Sequence, residues 1–233
     1  FLEEEGYFSL ELVEIGHVWV DDLILRSKIE DILVKIAVDG KEFIFNVKAT
    51  VFFDQYIVTL TDITQISQLT IEYKHEASYD SLTKIYNRNM FNRLFDIKMN
   101  KAQEKGTDLV FIIFDIDFFK EVNDKYGHLV GDDVLKTLSN LIKSKIREND
   151  LFARWGGEEF VLALDMEVDK GFVIANNLRS AIEENKFDRV GELTCSFGIT
   201  QFKEEDTLDS MILRADNALY EAKENGRNKV CKA

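Results

Sequence analysis

"LFARWGGEEFVLAL", residues 151–164, decides how the chain is read. Two strand-like runs flank Gly156-Gly157, which is the pattern of a hairpin with a tight tip. Two adjacent acids, Glu158 and Glu159, sit at that tip. Ahead of it, "DLVFIIFDID" (108–117) is a nearly continuous apolar run, as in a strand covered on at least one face. Helical spacing marks about 88–105, ended near Gly106, then about 130–147, 170–185 and 207–224. Strands are expected at "LTCSFGIT" (193–200) and near 228–232. The resulting order, β-α-β-β-α-β with additions, is the split plan of ferredoxin-like and palm domains, an α+β class.

Residues 1–62 read differently, as β with one short helix. "DILVKIAVDGKEFIFNVKATVFFDQYIVTLTDIT" (31–64) holds three β-rich runs, with turns expected at Asp39-Gly40 and Asp54-Gln55. Three antiparallel strands with one apolar face are too little for an independent domain. Ile66, Leu69, Tyr73 and Ala77 then fall at helical spacing. This gives three segments: a partial sheet domain at 1–64, a linker helix at 65–79 that connects or pairs subunits, and the α/β part at 80–233.

The 45% hydrophobic content supports a proper core. Pro is absent, so segment boundaries rest on periodicity. A net charge of −14 repels polyphosphate backbones, which argues against long nucleic acids as partners. A single nucleotide remains compatible if a metal ion and a few basic groups offset its charge. Cys195 and Cys231 lack metal-ligand spacing and suit free thiols in a reducing cytoplasm. No apolar run approaches the ~20 residues of a membrane helix. The chain opens at Phe1, so a longer parent protein, with or without an upstream membrane anchor, is expected.

The chemistry begins at "FDIDFFK" (114–120). Alternation puts Asp115 and Asp117 on one face at the strand end, next to a loop. Carboxylates placed so suit Mg²⁺, which takes one or two of them plus phosphate oxygens. A hairpin strand lying beside this strand would bring its tip acids near Asp115. Successive residues point to opposite faces, so one glutamate faces Asp115 and the other reaches the rim. Each motif alone also fits a solvated strand end or a plain Gly-Gly turn; together they fit a cation site better, because clustered acids repel one another. Lys223 and Arg227, four apart at a helix end, and Lys120 are candidates for the outer phosphates of a nucleotide. Asn123 and Asp132 are candidates for a purine edge, since a carboxylate can accept from guanine N1–H and its amino group.

Four motifs in order carry a resemblance: "DSLTKIYNR" (80–88), "FDIDFFKEVNDKYGHLVGDDVL" (114–135), "RWGGEEF" (154–160) and "ADNALYEAKENGRN" (215–228). From about Asp80 to the end, the chain resembles the GGDEF family of diguanylate cyclases, in a GGEEF variant. The resemblance implies that two GTP molecules condense to cyclic di-GMP, releasing pyrophosphate twice, across a homodimer with one GTP per subunit. It implies a divalent cation, Mg²⁺ or in its place Mn²⁺, held by Asp115, the Ile116 carbonyl and Glu158. Glu158 or Glu159 assists removal of the 3′-hydroxyl proton. Asn123 and Asp132 read guanine. Lys223, Arg227 and the backbone amides of Phe118, Phe119 and Lys120 hold phosphates. Asp117 either binds a second metal or shapes the site. The runner-up is a silent module that binds GTP or cyclic di-GMP without turnover, and a weaker third is a purely structural dimeriser.

Arg147-x-x-Asp150 lies five residues ahead of Gly156, the offset of the family's product-inhibition site, with Arg179 a candidate addition. The β part and "VTLTDITQI" (58–66) resemble the C-terminal half of a PAS sensor domain. His17 beside Trp19 reads as a packing or surface residue rather than a haem ligand, and His75 and His128 are unspecific.

Overall fold

A computed structural model describes residues 7–11, 32–38, 41–52 and 55–233. Two units divide the chain, Phe1–His75 and Glu76–Ala233. His17 and both expected turns of the first unit involve residues outside those described.

In the first unit, β1 (Tyr7–Glu11), β2 (Ile32–Val38), β3 (Lys41–Phe52) and β4 (Gln55–Asp62) form one sheet in that order. The three expected strands pair antiparallel, from Val38↔Lys41 and from Phe52↔Gln55. A fourth strand, β1, joins parallel to β2, so the sheet is mixed rather than wholly antiparallel. Val34, Ile44 and Val47 are its described buried apolar residues. Helix α1 (Thr64–Ser78) follows at once. Asp62 Oδ1 accepts from the Thr64 N–H at 2.9 Å and from Thr64 Oγ1 at 2.6 Å, and those bonds hold its carboxyl below the usual range. Thr64 Oγ1 in turn accepts from the Ile44 N–H at 2.8 Å. The "DIT" sequence thus ties the helix start to β3.

The second unit is built on β6 (Val110–Ile116), buried at every residue. Short β5 (Tyr86–Asn87), β7 (Leu151–Gly156), β8 (Glu159–Leu164), β9 (Cys195–Gln201) and β10 (Val230–Lys232) complete a six-stranded sheet, ordered β10-β9-β6-β8-β7-β5. Its helices are α2 (Arg88–Lys105), α3 (Phe119–Tyr126), α4 (His128–Lys143), α5 (Val168–Glu184) and α6 (Leu208–Glu224). The order β6-α4-β7-β8-α5-β9 is the expected split plan. Helix α3 and strand β5 lie outside what periodicity indicated.

Alternation sorts the core into two layers. Val110, Ile112, Phe114 and Ile116 pack with α4 and α5, while Phe111 and Ile113 pack with α2 and α6. The first layer stacks Phe114 on Phe197 (4.6 Å between centroids) and on Phe160 (5.4 Å). Each buried Phe side chain contributes about 1.5–3 kcal/mol. This parity has a functional consequence: odd-numbered Asp115 emerges on the α6 side.

Helix α6 is fastened twice to β9. Gly198 lets the helix backbone approach so closely that a Cβ there would lie 1.9 Å from the Ala215 carbonyl oxygen. At its start, Asp206 accepts from Arg214 Nη1 (2.5 Å) and Nη2 (2.6 Å), while Arg214 Nε donates to Thr200 Oγ1 at 3.0 Å. The Arg214 guanidinium lowers the Asp206 carboxyl to about 2 from 3.8. A depressed carboxylate contributes stability that is present above its unfolded value and is lost as pH falls through the folded one. Asp206→Asn is therefore expected to cost about 2 kcal/mol at pH 7. In urea titrations the gap to the unmutated protein should close between about pH 4 and pH 2.

No helix among the described residues is long and apolar enough to cross a membrane.

Candidate active site

Strand β6 ends at a cluster of three acids. Asp115 is 7% exposed and lies directly across from Glu159 in the antiparallel register, so their side chains share a face. Glu158 occupies the turn before β8, after Gly157 at φ +51°. Lys223 reaches from the last turn of α6 to Asp115 Oδ1, 2.9 Å away. Burial pushes the Asp115 carboxyl up to about 6; Lys223 opposes that rise, and the charges of Glu158 and Glu159 add to it. Burial also raises the Glu159 carboxyl, with Asp216 and Glu158 adding to the rise and Lys223 and Arg88 opposing it. Such a cluster is costly without further positive charge.

That cost is the test of whether a cation fits. Two carboxylates and a carbonyl at the mouth of a sheet are hard oxygen donors of the kind Mg²⁺ takes, with substrate oxygens completing its shell. Among the described residues, no three or more His, Cys, Asp or Glu side chains converge as an all-protein metal cage. A cation held by so few protein oxygens would complete its shell with oxygens from a ligand or solvent.

The hairpin tip is braced by residues the sequence reading left without a role. Between Arg154 and Gly156 the β7–β8 register shifts, leaving Trp155 in a bulge. Arg154 Nε donates to the Gly157 carbonyl at 2.8 Å, and Arg154 Nη1 pairs with Asp80 at 3.2 Å. Asp80 Oδ1 also accepts from the Thr83 N–H and hydroxyl at 2.8 and 2.7 Å. Trp155 packs edge-on against Phe91, with the Arg88 guanidinium 4.2 Å over its ring. The only local signal for this brace is Asp-x-x-Thr, a turn motif. Its partner Arg154 lies far along the chain.

The remaining expected residues fall in three groups. Phe118 takes the left-handed φ of +58° between β6 and α3, so the chain turns at once into the helix that starts at Phe119. Lys120 is exposed in its first turn. Arg227, at φ +58°, lies with its guanidinium 4.4 Å over the half-exposed Phe118 ring. Asn123 of α3 lies against Gly131 of α4, the residue before Asp132: a Cβ on Gly131 would lie 2.0 Å from Asn123 Oδ1. Gly131 is therefore what admits the Asn123 amide there.

Arg147 and Asp150 stand apart from this cluster, in the turn before β7. Asp150 Oδ2 accepts from the Arg147 N–H at 2.9 Å, and the Arg147 carbonyl accepts from the Asp150 N–H at 3.0 Å. The pair lines a cleft of about 480 Å³ with Tyr79, Tyr86, Lys143 and Phe152. Arg179 does not line that cleft. Its guanidinium is committed to Glu183 Oε2 and Asn228 Oδ1, each at 2.7 Å. His128 is exposed at the start of α4, and Cys195 and Cys231 are free thiols.

Residues 77–229 match the family described as "Diguanylate cyclase, GGDEF domain". DgcT of Escherichia coli (strain K12), a probable diguanylate cyclase, is 43% identical over 164 residues, 67% of this chain and 36% of DgcT. The diguanylate cyclase DgcM of the same strain is 34% identical over 173 residues, covering 74% of this chain and 42% of DgcM. VdcA, a diguanylate cyclase of Vibrio cholerae, is 31% identical over 237 residues, which is 97% of this chain and 66% of VdcA. The chain thus spans less than half the length of DgcM or DgcT. Among solved structures, the coiled coil and GGDEF domain of DgcB from Caulobacter crescentus, in complex with c-di-GMP, superposes with a TM-score of 0.70 at 28% identity, covering 73% of this chain and 93% of that one. The active GGEEF domain of a diguanylate cyclase from Vibrio cholerae gives 0.60 at 34% identity, covering 63% and 96%.

Proposed function

The chain belongs to the GGDEF family of diguanylate cyclases, and on that premise we propose that it condenses two GTP molecules into cyclic di-GMP with release of pyrophosphate. The observation that carries the proposal is the acid cluster: Asp115 opposite Glu159, Glu158 in the adjoining turn, and Lys223 against them.

Asp115, the Ile116 carbonyl and Glu158 would hold a divalent cation, Mg²⁺ or Mn²⁺. When bound, that ion neutralises charge on the leaving pyrophosphate and acidifies the attacking hydroxyl. The chain's own residues do the rest. Asn123 and Asp132 read guanine, the carboxylate accepting from its N1–H and amino group. Lys223, Arg227 and the N–H groups of Phe118, Phe119 and Lys120 bind the triphosphate. Glu158 or Glu159 takes the 3′-hydroxyl proton. The hydroxyl must come within ~3–3.5 Å of the other nucleotide's α-phosphorus. One site holds one GTP, so the reaction needs two chains face to face, and dimer geometry is the natural control point. We assign residues 1–64 to a partial PAS-like sensor and 65–79 to the helix that relays its state.

Incubation with GTP and Mg²⁺, followed by chromatography of the products, tests the proposal. Cyclic di-GMP and pyrophosphate are expected. Bound but unchanged GTP would instead identify a silent binding module.

The Arg147–Asp150 turn is assigned to product inhibition. An Arg fork can bind guanine's Hoogsteen edge, and the stacked Tyr79–Tyr86 pair lines the same cleft. Arg147→Ala with Asp150→Ala is expected to raise the inhibition constant for cyclic di-GMP by about 10-fold or more, the effect of losing one charge-assisted contact. The initial rate should stay the same. Unchanged inhibition would remove the assignment.

A further inference from the structure

Asp117 follows β6 and is 3% exposed. Its carboxylate is engaged by three donors from distant parts of the chain. Ser196 Oγ donates to Oδ1 at 2.7 Å, Thr194 Oγ1 donates to Oδ2 at 2.7 Å, and the Asn228 N–H donates to Oδ2 at 3.1 Å. Its own N–H donates to the Thr194 carbonyl at 2.9 Å. A carboxylate used this way has its charge spent on the protein. Asp115 differs: it pairs with the end of the Lys223 side chain, 2.9 Å away.

The Asn228 end of this network is unusual. Gly226, Arg227 and Asn228 take φ of +97°, +58° and +47°, so two non-glycine residues in succession are left-handed. Such backbone is strained and persists only when its surroundings hold it. Two holds exist. Asp117 grips the Asn228 backbone, while Arg179 and Glu183 of α5 grip its side-chain amide at 2.7 and 2.8 Å. The residue after Asp117 is Phe118, and the residue before Asn228 is Arg227, whose guanidinium lies over the Phe118 ring. Two segments more than a hundred residues apart in sequence are thus joined side by side at Asp117.

We propose that Asp117 is a positioning residue: its carboxylate fixes the Gly226–Asn228 turn and thereby holds Arg227 over Phe118, where the phosphates of a nucleoside triphosphate bind. The proposal rests on the phosphate role assigned above to Arg227. It removes Asp117 from the metal ligands and gives the second acid of "FDID" a separate task. It also assigns Arg179 and Glu183 to the far side of the same turn.

The test is a double-mutant cycle on nucleotide binding, read by fluorescence of a ribose-labelled GTP with Mg²⁺. Asp117→Asn keeps the shape but replaces an acceptor oxygen with an amide that faces donors. It is expected to weaken binding about 10-fold, as is Arg227→Ala. The double variant should bind no more weakly than Arg227→Ala alone, because Asp117 acts through Arg227. The Mg²⁺ concentration giving half-maximal turnover at saturating GTP should stay unchanged in Asp117→Asn. Multiplying losses, a raised Mg²⁺ requirement, or unchanged binding in Asp117→Asn would each overturn the proposal. Thr194→Val, which leaves the acid in place and removes one donor, should show a smaller loss absorbed in the same way, and it carries the cycle if Asp117→Asn does not fold. A protein that binds GTP without turning it over would sink the proposed activity and leave this cycle decisive. A protein that binds no GTP would overturn both.

Discussion

Asp115→Asn is expected to reduce cyclic di-GMP formation by about 10³-fold or more, since it removes a cation ligand needed for transition-state charge, an effect worth about 4 kcal/mol. Stability should not fall with it. Asp115 is buried beside Glu158 and Glu159, and that burial holds its carboxyl near 6, so its charge is a burden on the folded protein at neutral pH. Asparagine keeps the size and lifts one like charge from the cluster. Urea unfolding of the metal-free variant should give a midpoint equal to or above that of the unmutated protein, while Mg²⁺ should stabilise the variant less. A variant that lost activity together with several kcal/mol of stability would show the acid to be structural, and the site would have to be redrawn.

Gly198→Ala should be the most damaging small substitution in the second unit. The added methyl would lie 1.9 Å from the Ala215 carbonyl oxygen and 2.5 Å from the Leu219 nitrogen, both backbone atoms of α6. Neither can swing aside as a side chain would, so the helix must lift from β9. A cost of at least about 3 kcal/mol is expected, near the upper end for overpacking. For a domain of this size that is a fall of roughly 6–12 °C in the unfolding midpoint. Gly171→Ala is the control: the nearest atoms to its methyl would be side-chain carbons of Val110 and Ile199, at 3.0 Å or more, and it should cost about 1 kcal/mol. Lifting α6 also moves Lys223, so residual folded Gly198→Ala should bind nucleotide weakly. Equal midpoints for the two variants would mean that α6 can shift on β9 without penalty.

Much of the second unit was legible because its signals are local. The alternation through "FIIFDID" assigns Asp115 its face, and Gly156-Gly157 marks the hairpin. Helix α2 runs over the span its periodicity indicated and closes at left-handed Gly106. Alternation also states that a single glutamate faces Asp115, yet it cannot say which; the register selects Glu159. Helix α3 escaped notice because it is short and only Gly127 separates it from α4. Strand β5, with two residues, has no period to detect. The bonds around Asp117 join positions 77 to 111 residues apart, and Arg154 meets Asp80 across 74. Such pairings are set by how strands and helices pack, which no window of local sequence encodes. In the first unit, β1 was beyond reach for the same reason: its pairing with β2 crosses a long intervening segment.

The Asp80–Arg154 ion pair limits where this chain can be cut or spliced. Arg154 holds the carbonyl of Gly157 with one nitrogen and Asp80 with another, so the first residues after α1 belong mechanically to the loop that carries the acids. A chimaera that grafts a different input module onto this domain must place its junction upstream of Asp80. Joined a few residues later, the hybrid would keep every residue that touches nucleotide and still lose the strut that sets the signature loop.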